Sequence, residues 1–198
     1  MGEQPDGHSA AEQTYTYRPS LMGAPWVFAL MPDALRWEAG RRSGRIPYRD
    51  IYRVRMLYRP VTLVSHRFVT EIWSTSSPKL SVVSTSWKSM VEVERQDARY
   101  RDFIVALHDK LAAEQVEASY EAGSPPFIYW PGVLVFCVLT AGLVALAVKG
   151  VAEGAFAGAA FVAAFFALFM WQIGGFFWRN RPGRYRPDAL PAALMPGK

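Results

Sequence analysis

Two long uncharged runs constrain this chain more than any other feature. Residues 127–148 carry no charged side chain, and neither do residues 155–178. The first run is 22 residues long. As a helix it covers about 33 Å, against an apolar bilayer core of about 30 Å. The intervening residues 149–154 include Lys149 and Glu153 and leave room only for a tight turn. The runs therefore predict an antiparallel two-helix membrane hairpin, because helices buried in soluble cores rarely run so long without a charge.

Net charge sharpens this reading. The chain of 198 residues carries +5, with a sequence pI of about 9.5. Residues 1–126 hold 16 basic and 15 acidic groups, while residues 127–198 hold 6 and 2. Most of the excess comes from Arg179, Arg181, Arg184 and Arg186, just past the second run. Basic residues flanking spans prefer the cytoplasm, so the C-terminus is expected there. Two spans place the N-terminus on the same side. Residues 1–20 contain Glu3, Asp6 and Glu12 and no apolar stretch, so they do not read as a signal peptide. Tyr129, Trp130 and Trp178 suit interfacial anchoring. A nearly neutral soluble part argues against nucleic acid as a partner, since duplex binding needs a concentrated basic face.

The second run carries Ala155, Ala159, Ala163 and Ala167 at a spacing of four, with Gly158 beside them. Small residues on one face let helices approach closely in lipid. The expected partner is the first span through Ala141 and Ala145, with self-association or a larger membrane complex as the alternative. Gln172 is the one strongly polar side chain in either run and is read as packing glue.

The soluble part predicts α+β structure. Residues 1–21 are polar and read as a flexible tail. Short β-like runs follow at 26–31, 34–38, 51–59, 68–74 and 80–84, with turns at 32–33, 40–44 and 76–78. In the third run Tyr52, Val54, Met56 and Tyr58 alternate with Arg53 and Arg55, the pattern of a half-buried strand. The period then changes. Tyr100, Phe103, Ile104, Leu107 and Leu111 fall on one helical face, with Asp97 as the N-cap candidate and His108 on the polar side. Domain limits follow: soluble domain 22–120, linker 121–126, hairpin 127–178 and basic cytoplasmic tail 179–198.

The segment Arg45-Ile46-Pro47-Tyr48-Arg49-Asp50-Ile51-Tyr52-Arg53-Val54, the strand at 80–84 and the helix from Tyr100 to His108 together resemble the bacterial pleckstrin-homology-like (PH-like) domain. The resemblance covers about residues 22–117. It implies a curved antiparallel sheet or barrel capped by a C-terminal amphipathic helix. It also implies a module that binds lipid head groups, peptides or proteins and is rarely catalytic. Several membrane-anchored bacterial proteins pair such a domain with transmembrane helices.

No phosphate loop, nucleophile elbow, zinc-protease helix or cysteine pair is present. No enzyme, cofactor or metal site is expected. The candidate constellation is basic. Arg41, Arg42 and Arg45 lie in a predicted hairpin, and Arg53 and Arg55 share one face of the next strand. Arginine forks suit phosphate oxygens. In PH-like domains that bind phospholipid, basic residues near an early hairpin often hold the phosphate. The expectation is therefore a non-catalytic module on the bacterial inner membrane that engages an anionic phospholipid or a protein partner.

Overall fold

The computed structural model describes residues 13–60, 66–89 and 93–197. The first strand, β1 (Gln13–Tyr17), lies in the stretch expected to be a flexible tail. Of that stretch, residues 1–12 lie outside the described residues. The alternation Gln-Thr-Tyr-Thr-Tyr explains the strand, because Tyr15 and Tyr17 turn inward and are buried. Their hydroxyls donate to the carbonyls of Val83 and Ser81 across the core. Residues sparse in aliphatic side chains are thus drawn into the core by two tyrosines.

An antiparallel meander follows: β2 (Trp26–Leu30), β3 (Ala34–Ala39) and β4 (Arg42–Pro47). The expected turn at 40–44 shrinks to Gly40 and Arg41, since Ala39 pairs with Arg42. Gly40 takes φ +64°, the left-handed conformation that glycine adopts without a Cβ penalty. Gly44 lies opposite Trp37, whose indole would stand 2.7 Å from any added Cβ.

A 3-10 turn, Tyr48–Asp50, leads into a second sheet: β5 (Ile51–Pro60), β6 (His66–Ser74) and β7 (Leu80–Val83). A bulge between Ile51 and Arg53 shifts the parity of β5. Ile51, Val54 and Met56 therefore face inward and Tyr52 faces solvent, against the simple alternation read from sequence. A short hairpin, β8 (Thr85–Trp87) and β9 (Val93–Arg95), precedes α1 (Asp97–Ala113). The expected helical face is buried, and Asp97 is the first helical residue rather than the cap, which is Gln96. His108, expected on the polar side, is fully buried with that face.

After α1 the chain forms β10 (Ser119–Ala122), parallel to β5. It then enters α2 (Pro126–Ala152), turns at Gly154, and returns through α3 (Phe156–Phe169), a π-helical turn Met170–Gly174 and α4 (Gly175–Arg179). The helices at Pro126–Ala152 and Phe156–Arg179 are long and apolar enough to cross a membrane, and within the molecule they are 0% and 6% buried. A helix from the core of a soluble protein would be mostly covered. Beyond α4, β11 (Gly183–Arg184) pairs with β10, and a 3-10 turn, Ala192–Leu194, places Leu194 and Met195 in the core. Residues 179–198 were set apart in the sequence reading as a basic tail. Up to residue 197 they instead complete the sheet and core of the domain. The supposed linker likewise begins as strand β10.

Candidate functional site

The two apolar helices leave and re-enter the domain through neighbouring strands. Gly123 marks the exit. Its φ is +76°, and an added Cβ would stand 2.4 Å from the carbonyl oxygens of Asn180 and Arg181. The outgoing and returning chains are in backbone contact there. Gly123 N–H donates to the Met56 carbonyl at 2.8 Å, and Ser124 N–H to the Asn180 carbonyl at 3.0 Å. The buried Asn180 side chain accepts from Tyr58 N–H at 3.0 Å and donates to the Phe176 carbonyl at 3.2 Å. Six backbone polar groups at the crossing, the N–H groups of Gly123, Ser124 and Tyr58 and the carbonyls of Met56, Asn180 and Phe176, are paired by these bonds.

The returning segment is held a second time at His108. One ring nitrogen, Nδ1, donates to the Ile104 carbonyl at 2.7 Å, and Nε2 accepts from the Tyr185 hydroxyl at 2.9 Å. Burial pushes the imidazole down to about 4, so it is neutral at pH 7. Neutral His108 and Tyr120, both buried, and the half-buried Tyr185 form an aromatic triplet joining α1, β10 and the C-terminal segment. Arg101 adds a bond to the Pro196 carbonyl at 3.0 Å.

The candidate arginines do not form one cluster. Arg41 and Arg42 sit at the β3–β4 turn, exposed and without a carboxylate partner among the described residues. Arg45, on the same hairpin, is engaged by both oxygens of Asp33 at 2.6 Å. That pairing holds the Asp33 carboxyl below its ordinary range. Arg53 and Arg55 belong to the other sheet. Both pair with Glu121 of β10, and both lie over the Trp73 ring, 5.6 and 5.3 Å from its centroid. Lys79 approaches the same ring and is paired with Glu71. Burial pushes the Glu121 carboxyl up, but the Arg55 hydrogen bond and the two guanidinium charges outweigh it and hold it down. Arg53 and Arg55 thus share one carboxylate, and the pairing ties β5 to β10.

The small-residue stripe is also placed differently from expectation. The face of α2 that meets the returning helical segment, residues 156–179, carries Tyr129, Gly132, Phe136, Thr140 and Gly150, and Ala141 and Ala145 lie off it. On the returning helix, Ala159 alone of the stripe is buried, against Gly150. Ala155, Gly158, Ala163 and Ala167 are exposed, and Gln172 lies in the π-helical turn on the outer side. Phenylalanines fill the contact instead, with Phe136 between Phe169 and Phe177. Ala159 and Ala163 border an apolar groove of about 620 Å³ near the distal turn.

A cleft of about 340 Å³ opens where the returning helix meets the domain. Phe68, Ala192, Ala193 and Met195 give it an apolar floor, and His66, Arg95, Trp178 and Arg179 line it. Arg179 lies over the Tyr58 ring at 4.9 Å. Among the described residues no carboxylate pairs with it. Arg95 pairs with Asp97 at 2.5 Å and donates to His66 Nε2 at 3.3 Å. Burial, then the charges of Arg95 and Arg179, hold the His66 imidazole below its ordinary value and therefore neutral. The set thus carries one positive charge beyond its carboxylate. Sequence reasoning placed Arg179 only as a topology signal and left His66 and Arg95 unassigned. His66 and Arg179 are 113 residues apart and Arg95 and Arg179 are 84 apart, and only the return of the chain through α4 brings them together. Among the described residues no three of His, Cys, Asp and Glu are grouped to hold a metal ion. No family model, curated protein or solved structure matches this chain.

Proposed function

We propose that this chain is a membrane-anchored, non-catalytic binding module. A PH-like domain is held at the cytoplasmic surface of a bacterial inner membrane by a two-span hairpin, where it engages a protein partner or anionic head groups. The observation that carries the reading is the near-complete exposure of two long apolar helices whose bases are stitched into the domain. Their outward side chains include Phe127, Leu134, Val138, Leu146, Phe161, Phe165 and Leu168. Water-soluble monomers rarely expose a contiguous apolar surface beyond a few hundred Å².

Orientation in this reading follows from charge. The domain end of the helices carries Arg179, Arg181, Arg184 and Arg186, whereas the distal turn carries a Lys149–Glu153 pair at 3.7 Å. Support for the PH-like resemblance comes from the order of elements: a four-stranded meander, three further antiparallel strands, a short two-stranded hairpin, then an amphipathic helix. Support for a non-catalytic role comes from the buried polar groups. His108 is bonded at both nitrogens, and the Tyr15, Tyr17 and Tyr48 hydroxyls donate to backbone carbonyls. Alkaline carbonate extraction of membranes tests the anchoring. The chain is expected to stay with the pellet, and release into the supernatant contradicts it.

A second reading has an observation of its own. The exposed Ala155, Gly158, Ala163 and Ala167 leave a small-residue face unused by the helix pair, which suits an accessory subunit packed against another span. Ala163→Leu would then remove a co-purifying partner in mild detergent. Unchanged composition of the purified material counts against this reading.

A further inference from the structure

We propose that the cleft between β6, β9, the end of α4 and the C-terminal 3-10 turn binds the phosphodiester of an anionic phospholipid. The inference rests on the membrane reading above and assigns its ligand to a place the candidate arginines do not occupy. Three observations converge there. Arg179 presents a guanidinium with no carboxylate partner among the described residues, and Arg95 stands across the same cleft with a single one, Asp97. Guanidinium groups match phosphate oxygens in geometry and keep their charge at any physiological pH.

The floor is apolar, through Phe68 and Met195, and the volume of about 340 Å³ fits a head group and glycerol rather than a whole lipid. Trp178, 75% exposed, adjoins Arg179 at the domain end of the second apolar helix. A tryptophan and an arginine at that level mark the head-group layer, so the acyl chains can lie along the outer face of α4. His66 accepts a hydrogen bond from Arg95 at the wall of the cleft and, being neutral, adds no competing charge. By contrast, Arg45 is matched by Asp33, and Arg53 and Arg55 both bond Glu121 and lie over Trp73, whereas Arg179 has no carboxylate partner among the described residues.

The test uses the full chain in a neutral detergent, titrated with short-chain phosphatidylglycerol, short-chain phosphatidylcholine or sodium phosphate. Phosphatidylglycerol is expected to bind at least about tenfold more tightly than phosphatidylcholine. Arg179→Gln and Arg95→Gln should each weaken it about fivefold to tenfold, and Arg184→Gln, outside the cleft, should not. In the wild-type chain the His66 ring resonances should move on titration while those of His108 stay in place. Equal binding of the two lipids, equal effects of Arg179→Gln and Arg184→Gln, or a stationary His66 overturns the proposal. Sodium phosphate binding as tightly as phosphatidylglycerol assigns the cleft to soluble phosphate and overturns the lipid. A chain retained in carbonate-washed membranes that shows no lipid preference fails here alone, whereas a chain released by carbonate fails the anchoring reading as well.

Discussion

Two residues carry more of this structure than their size suggests. Gly123 holds a left-handed φ where two chain segments touch, so alanine there meets both backbone strain and a carbonyl pair at 2.4 Å. Neither neighbour is a flexible side chain that can move aside. Gly123→Ala should cost about 2–4 kcal/mol, read as a lower melting temperature in detergent, while Gly183→Ala, with 3.9 Å to its nearest neighbour, should cost far less. His108 is the second. Its folded value of about 4 lies below the 6.5 of an unstrained imidazole, so between those values the unfolded chain binds more protons. Stability must therefore fall as pH falls through that window. The loss should reach about 2 kcal/mol at pH 5 relative to pH 7, in chemical denaturation of the detergent-solubilised chain. His108→Gln should remove most of that slope. An unchanged slope in the variant would show that protonation of His108 is not the cause. Glu121 acts in the same direction at lower pH. Its carboxyl is held below the ordinary range by Arg55 and Arg53, so its contribution is present above that range and lost as acid protonates it.

At the scale of elements, the decisive pair is β10 and β11, which closes the sheet around the base of the two apolar helices. Leu194 and Met195 follow them into the core. Leu194→Ala should destabilise the soluble domain by about 2–4 kcal/mol and increase protease cleavage within the domain itself. If the C-terminal segment were a loose appendage, cleavage would be confined to it. Much of the rest was legible from residue order. The strands at 26–30, 34–39, 66–74 and 80–83 and the helix through Leu111 follow from alternation and from helical spacing, since each has a long periodic apolar set. What was not legible has a common cause. Strand β1 contains two tyrosines among polar residues, and β10 and β11 are only four and two residues long. Such segments become strands because a partner edge is already in place, and one chain read alone does not reveal that edge. The bulge at Ile51 and the burial of His108 are tertiary in the same sense. The arginine candidates illustrate the limit for sites. Asp33 pairs with Arg45 and Glu121 is shared by Arg53 and Arg55, so three of the five candidates contact a carboxylate that only the fold brings to them, and Arg179, with no carboxylate partner among the described residues, lies in the segment expected to be a tail.

At the scale of the whole molecule, the helix pair is an insertion between neighbouring strands β10 and β11 of one domain rather than an appendage on a linker. In the proposed anchoring the domain would have little freedom to swing relative to the bilayer, and its cleft would stay at head-group level. The charge of +5 fits this picture, because the arginines after residue 178 serve as a topology signal and the first of them, Arg179, also lines the cleft. The most direct test of the central claim is substituted-cysteine accessibility in intact cells. In a Cys137→Ser background, which leaves no other cysteine, Glu153→Cys reports the distal turn and Met22→Cys the fully exposed loop of the domain. A membrane-impermeant maleimide is expected to label Glu153→Cys from outside and to reach Met22→Cys only after the inner membrane is opened. Labelling of both positions from the same side without opening the membrane would contradict a two-span anchor that holds the domain in the cytoplasm.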